Sequence, residues 1–267
     1  MGEVVIDASF LPEVERASLS DIPEHLLRHT IGTTDLAHFQ RSALEHIAFF
    51  EAATLKHDGR RLYDYQSILD FGCGTGRLMQ MFPNTANIKG CDPNGPLVKF
   101  CNDFFKHAEV YQSQPEPPLK WADGTFDLVY SFSVFSHLKR DSEDRWLNEL
   151  ARVGKPGCIY LITVQGDWWL ESKFSQPERE KIESAGFWYF DIHTSRGTDM
   201  DFPENYGSSI HTSQFIRKEW NKHMDVLQVY KGRPPMLYDH PSLPEAHRRA
   251  LEGSRAMGQD MVIMRKR

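Results

Sequence analysis

The segment Asp70-Phe71-Gly72-Cys73-Gly74-Thr75-Gly76 sets an acidic residue at the end of an apolar run and then three glycines at alternate positions. Glycines so spaced let main-chain N–H groups approach a nucleotide-like ligand that side chains would hold off, and some of the positions call for φ > 0. Ile68 and Leu69 read as the end of a strand, and residues 77–82 as a helix whose first N–H groups face the same space. A second strand, residues 87–91, ends at Asp92, 22 residues after Asp70. A carboxylate there can take both hydroxyls of a ribose. The third glycine of a dinucleotide fingerprint is missing, since Arg77 stands in its place, and no Gly-Lys-Ser/Thr follows as in a P-loop. The pattern points to a nucleoside with a free diol, and away from NAD and from triphosphate hydrolysis.

A further strand, residues 126–131, leads into Phe132-Ser133-Val134-Phe135-Ser136-His137. Open α/β sheets hold ligands beyond the C-terminal ends of their strands. His137 therefore stands where a general base is useful, an unperturbed imidazole pKa of roughly 6.5 being suited to taking a proton from a hydroxyl. A histidine hydrogen-bonded only for structure is the competing reading. Past Gly166 the chain is crowded with Trp168, Trp169, Phe174, Phe187, Trp188, Tyr189, Phe190 and Tyr206. Aromatic walls suit a sugar face or an apolar ring, which makes Trp168, Trp169 and Tyr206 candidate substrate contacts; a local satellite core is the plainer alternative. His211, in the same segment, is the next candidate base. His193, His211, His223, Asp199 and Glu204 offer no helical pair with a carboxylate in register, so no metal is expected.

These groups need strands to carry them and helices to cover them. Apolar residues from Leu36 to Phe50 recur at helical spacing behind a cap at Thr33, Thr34 or Asp35, predicting an amphipathic helix that packs on the domain, with a shorter helix near residues 21–29. Residues 96–107 read as a helix and 108–111 as a short strand, before a proline-rich loop over 112–118. Asp141-Ser142 caps a helix running to Val153, and residues 158–164 form a fifth, central strand. Helices are expected over 176–185 and 213–223, with loop between them, and strands over 224–230 and 260–264. Between those strands residues 232–258 make a proline-rich excursion, a lid or an oligomer contact. The chain has 267 residues, 40% apolar, with a formal charge of −6. That charge gives no general attraction to phosphate backbones, so no nucleic-acid partner is expected. No apolar run reaches the length of about 18 residues that a membrane helix needs, and the acidic start is unlike a signal peptide. Cys73, Cys91, Cys101 and Cys158 read as reduced packing residues. A cytoplasmic protein without a membrane partner is expected.

Asp-x-Gly-x-Gly-x-Gly followed by a strand-ending Asp resembles the first two motifs of the class I S-adenosylmethionine-dependent methyltransferases. Phe126-Asp127-Leu128-Val129-Tyr130-Ser131 is similar to their fourth strand. Arg152-Val153-Gly154-Lys155-Pro156-Gly157 is similar to their turn into the fifth, with Gly154 and Cys158 departing from the usual Val-Leu-Lys-Pro-Gly-Gly. The resemblance covers residues 66–165. It implies an α/β, Rossmann-like, seven-stranded mostly parallel sheet with an antiparallel last strand, plus a substrate cap. It also implies S-adenosylmethionine as cofactor and N-terminal helices that close over the methyl donor. The cofactor contacts implied are Asp70, Gly72, Cys73, Gly74 and Gly76 in the loop, Asp92 and Pro93 at the ribose, Gln114 or Glu116 at the adenine amine, and Ser131 and Phe132 beside the methionine part. On this reading residues 1–60 are an arm and covering helix, 61–166 the cofactor-binding core, and 167–267 cap segments and closing strands of the same domain.

The stretch from Pro117-Pro118-Leu119 through His137-Leu138, with Tyr206, His211 and Gln259-Asp260, resembles members encoded near glycosyltransferases, which implies a sugar or glycosylated metabolite. The reaction expected is methyl transfer to an oxygen or nitrogen of a small molecule. A non-catalytic module that binds the cofactor to regulate a partner is the alternative. An NAD-linked oxidoreductase is the other, and Arg77 opposes it.

Overall fold

A computed structural model describes residues 22–191, 207–232 and 258–267. These residues fall into two compact units, the first holding 22–112 and the second 113–232 with 258–267.

In the first unit, α1 (Glu24–Ile31) starts after Pro23 and stops at Gly32, whose φ of 72° only glycine adopts freely. Asp35 then caps α2 (Leu36–Asp58), its side chain accepting the His38 N–H at 3.0 Å. The helix is more than an amphipathic cover: every residue from His46 to Leu55 is buried. Glu51 belongs to that run because its carboxylate accepts from the Leu62 N–H and from Arg61 Nε. The strands β1 (Ile68–Phe71), β2 (Ile88–Asp92) and β3 (Glu109–Gln112) are parallel, with Asp70 opposite Gly90 and Asp92 opposite Gln112. Asn94 caps the intervening helix α3 (Gly95–Phe104) by accepting the Leu97 N–H.

The helix expected after the glycine loop does not form. Residues 77–82 make turns and one 3-10 turn, Met79–Met81. Pro83 follows at once and holds Phe82 extended (φ −94°, ψ 145°), leaving too few residues to build an α-helix.

The second unit opens with β4 (Phe126–Ser131), α4 (Arg140–Val153) and β5 (Gly154–Val164). It continues through α5 (Asp167–Lys173), α6 (Gln176–Ala185), β6 (Phe187–Phe190), β7 (Ser208–His211) and α7 (Ser213–Glu219), and closes with β8 (Asp225–Tyr230) and β9 (Asp260–Arg265). β4 and β5 are parallel, whereas β9 runs antiparallel to both β5 and β8. The seven sheet strands have the order β3-β2-β1-β4-β5-β9-β8, the mostly parallel α/β sheet with an antiparallel last strand that the family resemblance implies. Two local expectations change. α4 begins at Arg140, ahead of the Asp141-Ser142 cap, and Ser142 Oγ–H instead donates to Glu116. Part of the expected loop past Gly186 is a two-stranded antiparallel sheet, β6 with β7. Its Phe187-Trp188-Tyr189-Phe190 run is strand-prone, and the partner lies too far along the chain for the pairing to be read from spacing. No helix among the described residues is long and apolar enough to cross a membrane.

Candidate active site

In the first unit the chain leaves β1 at Phe71 and turns through Gly72, Gly74 and Gly76, all with positive φ (76°, 56° and 74°). A Cβ on Gly76 would stand 2.3 Å from the Phe105 ring, and one on Gly74 would stand 3.2 Å from the Thr30 methyl. The glycines are thus required first by the loop's own packing against α1 and Phe105. Thr30 also donates its hydroxyl toward Thr75 at 3.2 Å, so α1 lies directly on the loop. Arg77 is buried and points its guanidinium at Ser42 Oγ (3.2 Å) and His46 Nδ1 (2.8 Å), tying the loop to α2. Burial, then the nearby Arg77 charge, hold His46 well below the usual histidine range, so its Nδ1 accepts.

At the end of β2, Asp92 accepts the Gly74 N–H on Oδ2 (3.0 Å) and the Asn94 N–H on Oδ1 (2.9 Å). The residue keeps some exposed surface, yet burial of the carboxyl raises its pKa to about 6 against those two donors. Pro93 O accepts from the Gln112 amide at 3.0 Å. Asp70 is buried. So is Cys73, whose thiol is hydrogen-bonded with Cys101 and pushed well above the usual thiol range. All four cysteines are free and buried.

In the second unit Ser131 ends β4 fully buried, and its hydroxyl has no hydrogen-bond partner among the described residues. His137 sits partly exposed on the loop that follows. Its Nδ1–H donates to Gly207 O at 2.7 Å, while its main-chain carbonyl accepts the Gly207 N–H at 3.0 Å. Ser209, on β7, adds its N–H to Ser136 O at 2.8 Å and its hydroxyl to Leu138 O. β7 is therefore a splint for the His137 loop. His211 on the same strand has no exposed surface; its Nε2–H donates to Glu143, which also accepts from Trp220 Nε1 (2.8 Å) and Arg140. Glu116 accepts from Ser142 and Arg145, and Gln114 is exposed. Trp169 packs on the satellite cluster Leu170, Ile182 and Ile210. Trp168 lies on Gly232, where a Cβ would come within 2.6 Å of its ring.

Residues 69–162 match the family described as a methyltransferase domain. They form a class I S-adenosylmethionine-dependent methyltransferase domain. The tRNA (carboxymethyluridine(34)-5-O)-methyltransferase of Arabidopsis thaliana is 38% identical over 98 residues, which is 36% of this chain and 23% of that protein. Thiol S-methyltransferase TMT1A of Homo sapiens is 28% identical over 102 residues, 36% of this chain and 41% of that protein. The chain thus spans less than half the length of these relatives. Among solved structures, the PH0226 protein of Pyrococcus horikoshii OT3 has 13% identity and a TM-score of 0.53, covering 83% of this chain and 90% of that one. A methyltransferase of Methanosarcina mazei has 15% identity and a TM-score of 0.51, with 76% and 93% covered. Both likenesses concern the fold.

The cofactor of such a methyltransferase domain is S-adenosylmethionine, and the residues fit it. The loop of the first unit presents the Gly74 N–H beside a carboxylate at the end of β2. Tyr206, with His193, Asp199 and Glu204, lies outside the described residues. Thr30 had no sequence signal as a loop-packing residue, and the splinting role of Ser209 depends on a pairing some 70 residues away along the chain.

A ribose held by the Asp92 carboxylate, the role that the resemblance implies, would make nucleoside binding sensitive to pH. Its carboxyl is raised to about 6, so it is mostly protonated below that value and mostly ionised above it. Only the carboxylate can accept from both ribose hydroxyls. Affinity for S-adenosylhomocysteine should therefore rise roughly tenfold between about pH 5 and about pH 7. Calorimetric titrations across that window check it, and in Asp92→Asn the rise should be absent.

Proposed function

We propose that this chain methylates an oxygen or nitrogen of a small molecule, with a sugar or glycosylated metabolite as the acceptor class and His137 as the base. One observation carries the role of His137: its Nδ1–H donates to Gly207 O at 2.7 Å, and a carbonyl can only accept. The neutral imidazole therefore has its basic lone pair on Nε2, the tautomer needed to receive a proton from an acceptor hydroxyl. The splint of β7 fixes the ring further. Asp92 binds the ribose diol, and the Gly74 N–H holds the Asp92 carboxylate in place. S-adenosylmethionine, when bound, supplies an electrophilic methyl on a sulfonium centre. Beyond the proton transfer, the protein contributes orientation and exclusion of water.

Isotope-labelled S-adenosylmethionine offered with sugars, glycosides, phenols, amines, thiols and tRNA identifies the acceptor. Label appearing only on a thiol or on tRNA, the acceptors named for the two relatives, would contradict the small-molecule oxygen or nitrogen class. On the acceptor found, His137→Ala should lower kcat by about 10²–10⁴-fold with KM little changed. Wild-type activity should rise with pH through an ionisation that the variant lacks. An unchanged pH profile together with a lower melting temperature would make His137 a structural residue.

A further inference from the structure

We propose that Gln259, held by Ser133, forms a hydrogen-bonding subsite for an O–H or N–H group of the methyl acceptor; this rests on the methyltransferase reading above. Gln259 immediately precedes β9, whose first residue, Asp260, pairs with Val164 at the end of β5. That end of β5 lies alongside the end of β4, where Ser131 pairs with Ile162. Gln259 thus belongs to the edge of the sheet from which the His137 loop springs. Its Nε2–H donates to Ser133 Oγ at 2.8 Å. Ser133 Oγ in turn lies 3.3 Å from Ser136 Oγ, one residue before His137.

Two features of this cluster are costly to the fold. Ser133 is the one non-glycine residue with positive φ among the described residues (62°), held there by its N–H on Thr163 Oγ1 at 2.8 Å. Strain of this kind gathers at functional sites. The second feature is Gln259 Oε1, buried in a residue only 9% exposed and without a partner among the described residues. With its Nε2 engaged, the amide has only an acceptor left, and an acceptor selects a donor. The neighbourhood also limits the shape of the ligand. A Cβ on the adjacent Gly258 would stand 3.9 Å from the Trp168 ring, so the main chain leading into Gln259 runs beside an indole. An uncharged acceptor beside an aromatic face suits a ring that carries a hydroxyl or an N–H. Held there, the acceptor can present a second group to His137.

Phenol and anisole share a ring and differ in that only phenol donates. Each is titrated into the full chain by ligand-observed saturation-transfer NMR, with and without saturating S-adenosylhomocysteine. Phenol should bind about tenfold more tightly than anisole, the worth of one hydrogen bond. Gln259→Met should bring that ratio close to one, while Gln259→Glu, which keeps an acceptor oxygen, should retain it. A ratio near one in the wild type, a ratio that survives in Gln259→Met, or no binding of either ring by folded protein overturns the subsite. Calorimetry with S-adenosylhomocysteine on the same samples judges the cofactor reading separately. Loss of nucleoside binding with the phenol preference intact would overturn the methyltransferase reading and leave the subsite standing.

Discussion

Gly74→Val is expected to show no measurable binding of S-adenosylhomocysteine at concentrations that saturate the wild type. The residue's φ is +56°, a region that costs an L-residue roughly 1–2 kcal/mol and a β-branched one more. Its Cβ would press on the Thr30 methyl at 3.2 Å and the Thr30 hydroxyl at 3.3 Å, and the valine branches would push α1 off the loop at an overpacking cost of about 1–3 kcal/mol. The same distortion removes the Gly74 N–H from Asp92, the carboxylate proposed to take the ribose. Thr30→Ala only opens space, so it should bind nearly as the wild type does. Calorimetry on both variants, with circular dichroism to establish folding, checks this. A folded Gly74→Val that binds normally would mean that the loop is not the cofactor seat.

The second large effect is expected from a residue that touches neither ligand. Glu143→Ala should lower stability by about 3–5 kcal/mol, the usual consequence of removing one partner from a buried charged network. Glu143 has no exposed side chain, and its two oxygens receive His211 Nε2, Trp220 Nε1 and Arg140. Without it a buried imidazole N–H and an indole N–H lose their acceptor. For a chain of this size that corresponds to a fall in melting temperature of roughly 10 °C or more. The damage should also reach catalysis, because His211 anchors β7 and β7 splints the His137 loop. Thermal melts and kcat measured below the transition test both parts. A melting temperature within a degree or two of the wild type would show that the network is not structural.

The parts legible from sequence were those where local chemistry and long-range packing demand the same residue. Three alternating glycines meet three positive φ values, and a strand-ending Asp92 meets the loop it serves. The seven-stranded, mostly parallel sheet with its antiparallel last strand was legible through the resemblance to the methyltransferase family rather than through periodicity. Burial all round α2 was not legible, because Ser42, His46, Glu51 and Thr54 look polar until their partners are known. The helix expected after Gly76 yielded to Pro83. Glu143 resembles any charge on a helix surface, and nothing near it in sequence announces His211 or Trp220. His211, singled out as a second base, lies between the rings of Phe187 (5.1 Å) and Trp220 (5.7 Å), where an acceptor cannot reach it. Glu116, offered for adenine, is engaged with Ser142 and Arg145 on α4.

The most direct measurement is a calorimetric titration of S-adenosylhomocysteine into the wild type and Asp92→Ala, at a pH well above 6 so that the Asp92 carboxylate is ionised. Saturable one-to-one binding is predicted for the wild type. Asp92→Ala should bind more weakly by about 1.5–3 kcal/mol, the value of a hydrogen bond to a charged acceptor, which is on the order of 10- to 150-fold in affinity. Equal affinity in the two proteins, or no binding to a folded wild type, would contradict a methyltransferase site built on the glycine loop and Asp92.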